Sequence, residues 1–108
     1  MAQILLNAAT QTGAGEAWNP RDTSALATYV QHSFQAKGTV ASSTGAAVIL
    51  IQVSNDGTNY LTLGTITLVL GTVATSDGFA CANTYEYYRA NVSSISGATA
   101  TVTVYMKG

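Results

Sequence analysis

The sequence predicts an all-β fold: an antiparallel β-sandwich, jelly-roll-like, with about seven or eight strands. Three observations carry this. β-Branched residues, Gly and Thr dominate, and no window sustains the three-and-four spacing of a buried helical face. Several stretches alternate apolar and polar residues instead, which is the period of a strand with one buried side. Turns rich in Gly, Asn and Asp separate these stretches at the short, even intervals of an all-β domain.

Residues 1–22 are the least regular part, broken by Gly13, Gly15, Asn19 and the only proline, Pro20. Residues 4–7 read as a short strand or a tail that docks on something. Over residues 25–36, Leu26, Thr28, Val30, His32 and Phe34 fall on one face and Ala27, Tyr29, Gln31, Ser33 and Gln35 on the other. Residues 46–54, AAVILIQVS, form a nearly continuous apolar run, as expected of a central strand. SNDGTN then supplies the polar caps and the glycine of a hairpin turn, so residues 60–63 should return antiparallel to that run.

Gly64 interrupts before a strand over residues 65–70. Residues 72–83, containing Asp77-Gly78, read as a turn plus a short strand. Residues 85–92, YEYYRANV, alternate again, with Tyr88, Ala90 and Val92 inward. Ser93, Ser94, Ser96 and Gly97 make the last turn, and Ala98, Ala100, Val102, Val104 and Met106 alternate with threonines in a closing strand. No repeat or linker divides the chain. It is read as an extended N-terminal arm or loop over residues 1–22 and a single β-sandwich domain over residues 23–108.

Composition narrows the function classes. The 108 residues carry 4 Lys and Arg against 5 Asp and Glu, a net charge of −1, and only 8% are charged while 47% are hydrophobic. Four scattered cations cannot make the many phosphate contacts of nucleic-acid binding. No stretch approaches the roughly 18 uninterrupted apolar residues of a membrane span, and residues 1–6 lack the basic residue and long apolar run of a secretory signal. One cysteine, Cys81, excludes an internal disulfide, and one histidine, His32, excludes a multi-histidine metal site. Neither a cofactor nor a metal is expected.

Chemistry has few parts to work with. His32 and Cys81 would make a base and thiol pair only if the fold joined them; otherwise both are structural, since a free cysteine packs as a small hydrophobe. Asp56 and Asp77 each precede a glycine and read as turn formers. No phosphate-binding loop, nucleophile elbow or zinc-binding helix motif occurs, and no catalytic residue is assigned. Two features stand out. On a strand, Tyr85, Tyr87 and Arg89 share a face, a composition typical of interface anchors and of sugar-binding platforms. The competing reading has some of these tyrosines filling the core edge and Arg89 pairing with Glu86 or Asp77. The second feature is a low-charge outward face at Thr65, Thr67, Thr99, Thr101 and Thr103, suited to a partner chain or to plain solvent.

The text IQVSNDGTNYLTLG and, later, YEYYRANVSSISGATATVTVYM resembles small structural proteins of tailed bacteriophages, the capsid decoration or cement class, over about the last two-thirds of the chain. That resemblance implies a non-enzymatic virion protein, made in the host cytoplasm, that binds the major capsid protein or another virion protein as a dimer or trimer and clamps neighbouring capsomers. Its interface would draw on Ile4, Leu5 and Leu6 of the arm, on Trp18, and on Tyr85, Tyr87 and Arg89. The alternative is a carbohydrate-binding or tail-fibre adhesin module of discoidin-like type, using Tyr60, Tyr85, Tyr87 and Arg89. A charge-poor surface of Thr, Ser and Gly is weakly protected against association, which favours a surface covered by protein.

Overall fold

The computed structural model describes residues 3–15, 17, 31–82 and 85–107. Within them lie eight strands: β1 (Gln3–Ala9), β2 (Gly13–Ala14), β3 (Gln31–Thr39), β4 (Gly45–Ser54), β5 (Leu61–Leu70), β6 (Thr75–Ala82), β7 (Tyr87–Ser96) and β8 (Thr101–Lys107). They form two four-stranded sheets, ordered β1-β8-β3-β6 and β2-β7-β4-β5, antiparallel throughout. This is the strand order of a jelly roll, in which most connections cross from one sheet to the other. Among the described residues, only β4 and β5 are sequential neighbours within a sheet, joined by the SNDGTN hairpin.

Alternation places the core where the sequence puts it. Phe34 and Ala36 of β3, Ile49, Ile51 and Val53 of β4, Ile66, Leu68 and Leu70 of β5, Tyr88, Ala90 and Val92 of β7, and Val102, Val104 and Met106 of β8 are all buried between the sheets. Each large aliphatic side chain so placed contributes roughly 1.5–3 kcal/mol of hydrophobic stabilisation. Phe34, Phe79, His32 and Tyr88 form a ring-on-ring column, with centroids 4.8 Å apart for His32 and Tyr88 and 5.2 Å for Phe34 and Phe79.

Several local expectations change. Gly64 does not interrupt: β5 runs through it, pairing Gly64 with Ile51 and shifting register just beyond. A Cβ on Gly64 would sit 2.5 Å from Cζ of Phe79, so the glycine makes room for an aromatic ring from the opposite sheet. Asp77-Gly78 lies inside β6, opposite Ala36 and Gln35, and is no turn; a Cβ on Gly78 would run into the carbonyl oxygen of Phe34. β7 extends through the serines to Ser96, past a register shift against β4. The threonine rows separate: Thr65 and Thr67 lie on the outer face of one sheet, Thr101 and Thr103 on that of the other, and Thr99 sits before β8.

The N-terminal segment expected as an arm is an edge strand of its own sandwich. β1 pairs with β8 from Gln3 opposite Met106 to Ala9 opposite Val102, and Ala8 donates its N–H to Thr103 Oγ1 at 3.1 Å. Gly13 and Ala14 pair with β7, and the Gly15 N–H donates to the Ala90 carbonyl at 2.8 Å. The boundary between residues 22 and 23, and the expected strand residues 25–30, lie outside the described residues.

Candidate functional site

The hairpin end of the β2-β7-β4-β5 sheet collects most of the polar and aromatic groups singled out in the sequence. Its foundation is the SNDGTN turn. Ser54, buried at the end of β4, accepts the N–H groups of Asp56 at 3.2 Å and Gly57 at 2.9 Å, and donates its hydroxyl to Asp56 Oδ1 at 2.9 Å. Asp56 Oδ1 also accepts the N–H groups of Thr58 and Asn59, both at 2.8 Å, while Asn59 Nδ2 donates to Oδ2 at 3.0 Å. Asn55 Oδ1 accepts the Glu86 N–H at 3.1 Å and ties the turn to the approach of β7. Four polar side chains, those of Ser54, Asn55, Asp56 and Asn59, thus fix the backbone leading into Tyr60.

The backbone N–H of Asn59, then that of Thr58, then the side chains of Asn59 and Ser54 hold the Asp56 carboxyl well below the usual carboxylate range. A depressed folded-state pKa stabilises the fold above the unfolded value, here 3.8, and that contribution is lost as pH falls below it. The thermal midpoint of Asp56→Asn is therefore expected to lie below that of the unaltered chain near neutrality, with the gap closing as pH drops from about 4 towards 2. Thermal scans of both proteins across that range check this; a gap of constant size contradicts it.

On this scaffold, Arg89 of β7 stands directly opposite Gln52 of β4. Arg89 Nε donates to Gln52 Oε1 at 2.8 Å, and Asn91 Nδ2 reaches the same oxygen at 3.5 Å. The Arg89 guanidinium lies over the Tyr60 ring, its carbon 3.8 Å from the ring centroid, a close cation–π stack. Tyr87, one step along the same face of β7, rests its ring against Gly57 of the turn. Arg89 therefore takes a glutamine and a tyrosine as partners, where the competing reading of the sequence had Glu86 or Asp77.

The other residues expected at an interface are placed differently. Tyr85 precedes β7 and packs against the core, its N–H donating to the Tyr88 hydroxyl at 3.0 Å, so it leaves the face of Tyr87 and Arg89. Leu5 is only 4% exposed and belongs to the core, because alternation along β1 turns it inward while Ile4, at 47%, faces out. Leu6 is half-buried against that core. Ile4 and Leu6 sit on the other sheet from Arg89, and Trp18 lies outside the described residues.

His32 and Cys81 are cross-strand partners in β3 and β6. His32 is buried against Tyr88, and Cys81 packs on the edge of the core. Sequence reasoning missed Gln52, Asn55 and Asn91. Gln52 had a signal: it is the one side chain in AAVILIQVS able both to donate and to accept from mid-run, in a position whose neighbours alternate inward.

Two opposed sheets in jelly-roll order, with a hydrogen-bonded hairpin presenting an Arg-Tyr stack at one end, define the architecture that can be compared with known proteins. The fold is similar to the crystal structure of the PBSX exported protein XepA, with a TM-score of 0.53 and 16% sequence identity over 98% of this chain. This chain spans 36% of the length of that one. No family model matches the sequence, and no curated protein matches it.

Proposed function

We propose that the chain is a non-enzymatic virion structural protein of a tailed bacteriophage: a capsid decoration subunit that, as a homo-oligomer, binds the major capsid protein and stabilises the head by bridging neighbouring capsomers. The observation that carries the protein-binding part is β5. Among the described residues it is a ten-residue edge strand without a single charged side chain, with Leu61 62% and Val69 72% exposed, and Val73 just beyond it at 79%. Edge strands that face solvent are normally guarded by charge, proline or a covering segment.

The phage part is supported by the sequence resemblance and by the fold shared with XepA, which favours a phage-related structural or exported protein. Jelly rolls recur in viral shells, an analogy of fold and no more. The sugar-binding alternative is weakened by the stack itself, since one face of the Tyr60 ring is already covered by Arg89.

Light scattering of the purified chain on a sizing column, with co-sedimentation on undecorated heads, tests the reading. It predicts an oligomer that pellets with the heads; a strict monomer that stays in the supernatant contradicts it. Val69→Lys is expected to change stability by no more than about 0.5 kcal/mol, as an exposed substitution, while weakening both association and head binding.

A further inference from the structure

Arg89 is the one charged residue in the four strands of the β2-β7-β4-β5 sheet. Its guanidinium is fixed rather than free to wander. Nε–H is committed to Gln52 at 2.8 Å, the carbon sits 3.8 Å above Tyr60, and Gln52 is itself steadied by Asn91. Tyr60 is set by the hydrogen-bonded turn before it. Among the described residues, the two terminal nitrogens take no acceptor, so four N–H donors in a planar fork remain to be used.

A partner that covers this face takes those donors out of water. Burying an unmatched cation is strongly unfavourable, and a planar fork matched by a carboxylate forms two parallel, charge-assisted hydrogen bonds. Because Tyr60 and Gln52 already restrict the side chain, less conformational freedom is lost on binding than for an ordinary surface arginine. Tyr87 flanks the fork with a second aromatic side chain on the same face.

We propose that Arg89, stacked on Tyr60 and held by Gln52, is a preformed receptor for an aspartate or glutamate side chain on the partner protein, and that this carboxylate sets the register of docking. The inference rests on the reading of the chain as a protein-binding structural subunit, since it is the covering of this sheet that requires the charge to be matched. It goes beyond that reading by naming the chemistry the partner presents. An acidic sugar offers the same carboxylate, so the test separates the two sources.

The arginine side-chain N–H signals of the full chain, followed by NMR during titration with an N-acetyl, C-amide aspartyl peptide and separately with glucuronate, read the site directly. The peptide is expected to shift the Arg89 signals saturably. Arg89→Lys and Tyr60→Leu, each checked for an unchanged amide spectrum elsewhere, are expected to weaken that binding at least about tenfold, the first by losing the fork and the second by releasing it. Glucuronate binding without peptide binding would overturn the protein source, and no saturable shift with either would overturn the site.

Co-sedimentation on undecorated heads keeps this apart from the broader reading. Heads that bind the unaltered chain and Arg89→Met equally well contradict the carboxylate receptor and leave the structural role standing. Peptide binding at Arg89 in a chain that binds no heads contradicts the structural role and supports the receptor.

Discussion

Replacing Tyr88 by alanine is expected to destabilise the fold by about 3–5 kcal/mol, the range for removing a large buried aromatic side chain. Tyr88 is fully buried, the largest side chain so placed, and it joins two parts of the molecule. Its ring contacts His32 at 4.8 Å and Phe34 at 6.0 Å, both on β3 of the opposite sheet, while its hydroxyl accepts the Tyr85 N–H. Truncation therefore opens a cavity between the sheets and also removes an acceptor at the approach to β7. Tyr88→Phe separates these contributions: it keeps the ring and is expected to cost about 1–2 kcal/mol for the lost hydrogen bond. Urea denaturation of the two variants against the parent measures both values. A Tyr88→Ala midpoint within error of the parent would mean that the two sheets are not packed as described.

Gly97→Ala is the second large effect. Gly97 leads out of β7 with φ of +121°, a region that side-chain-bearing residues rarely enter, at a strain of roughly 1–3 kcal/mol. Space is also missing: an added Cβ would lie 2.5 Å from Cγ1 of Val40 and 3.1 Å from Cα of Gly45, the first residue of β4. Overpacking of this kind costs a further 1–3 kcal/mol or so, for a total of about 2–6 kcal/mol. Val40→Ala relieves the side-chain clash but not the backbone strain, so the double variant should recover only part of the loss beyond Val40→Ala alone. Thermal unfolding of the four proteins resolves this, and full recovery in the double variant would remove the backbone contribution.

Much of the fold was legible because alternation reports burial directly. Tyr88, Ala90 and Val92, and the closing Val102, Val104 and Met106, point inward as their spacing requires. The SNDGTN hairpin was equally readable, since Ser, Asp and Asn at those positions have side chains that cap their own backbone. Glycine was misread where its reason is distant in sequence. Gly64 accommodates Phe79 and Gly78 accommodates the carbonyl of Phe34, contacts between segments that no local pattern connects. The same limit applied to the N-terminus, where Leu5 looked like an anchor for another chain and instead completes its own core by pairing with residues nearly a hundred positions away.

At the candidate site, the sequence singled out Tyr60, Tyr87 and Arg89 but not what unites them. Gln52 joins Arg89 across strands 37 residues apart, a relation set by the register between β4 and β7. Tyr85 departed from the expected face because β7 begins two residues later, at Tyr87. The low charge that first served to exclude nucleic acid acquires a location: β2, β4, β5 and β7 carry one charge among them, at Arg89.

The most direct measurement of the proposed role is electron microscopy of tailed-phage heads assembled with this chain, at a resolution that distinguishes sheets. The proposed role predicts the two four-stranded sheets at fixed, symmetry-related positions on the outer head, contacting more than one capsomer, with density against Arg89. Complete heads bearing no such density, with the chain recovered only in the unassembled fraction, would contradict it.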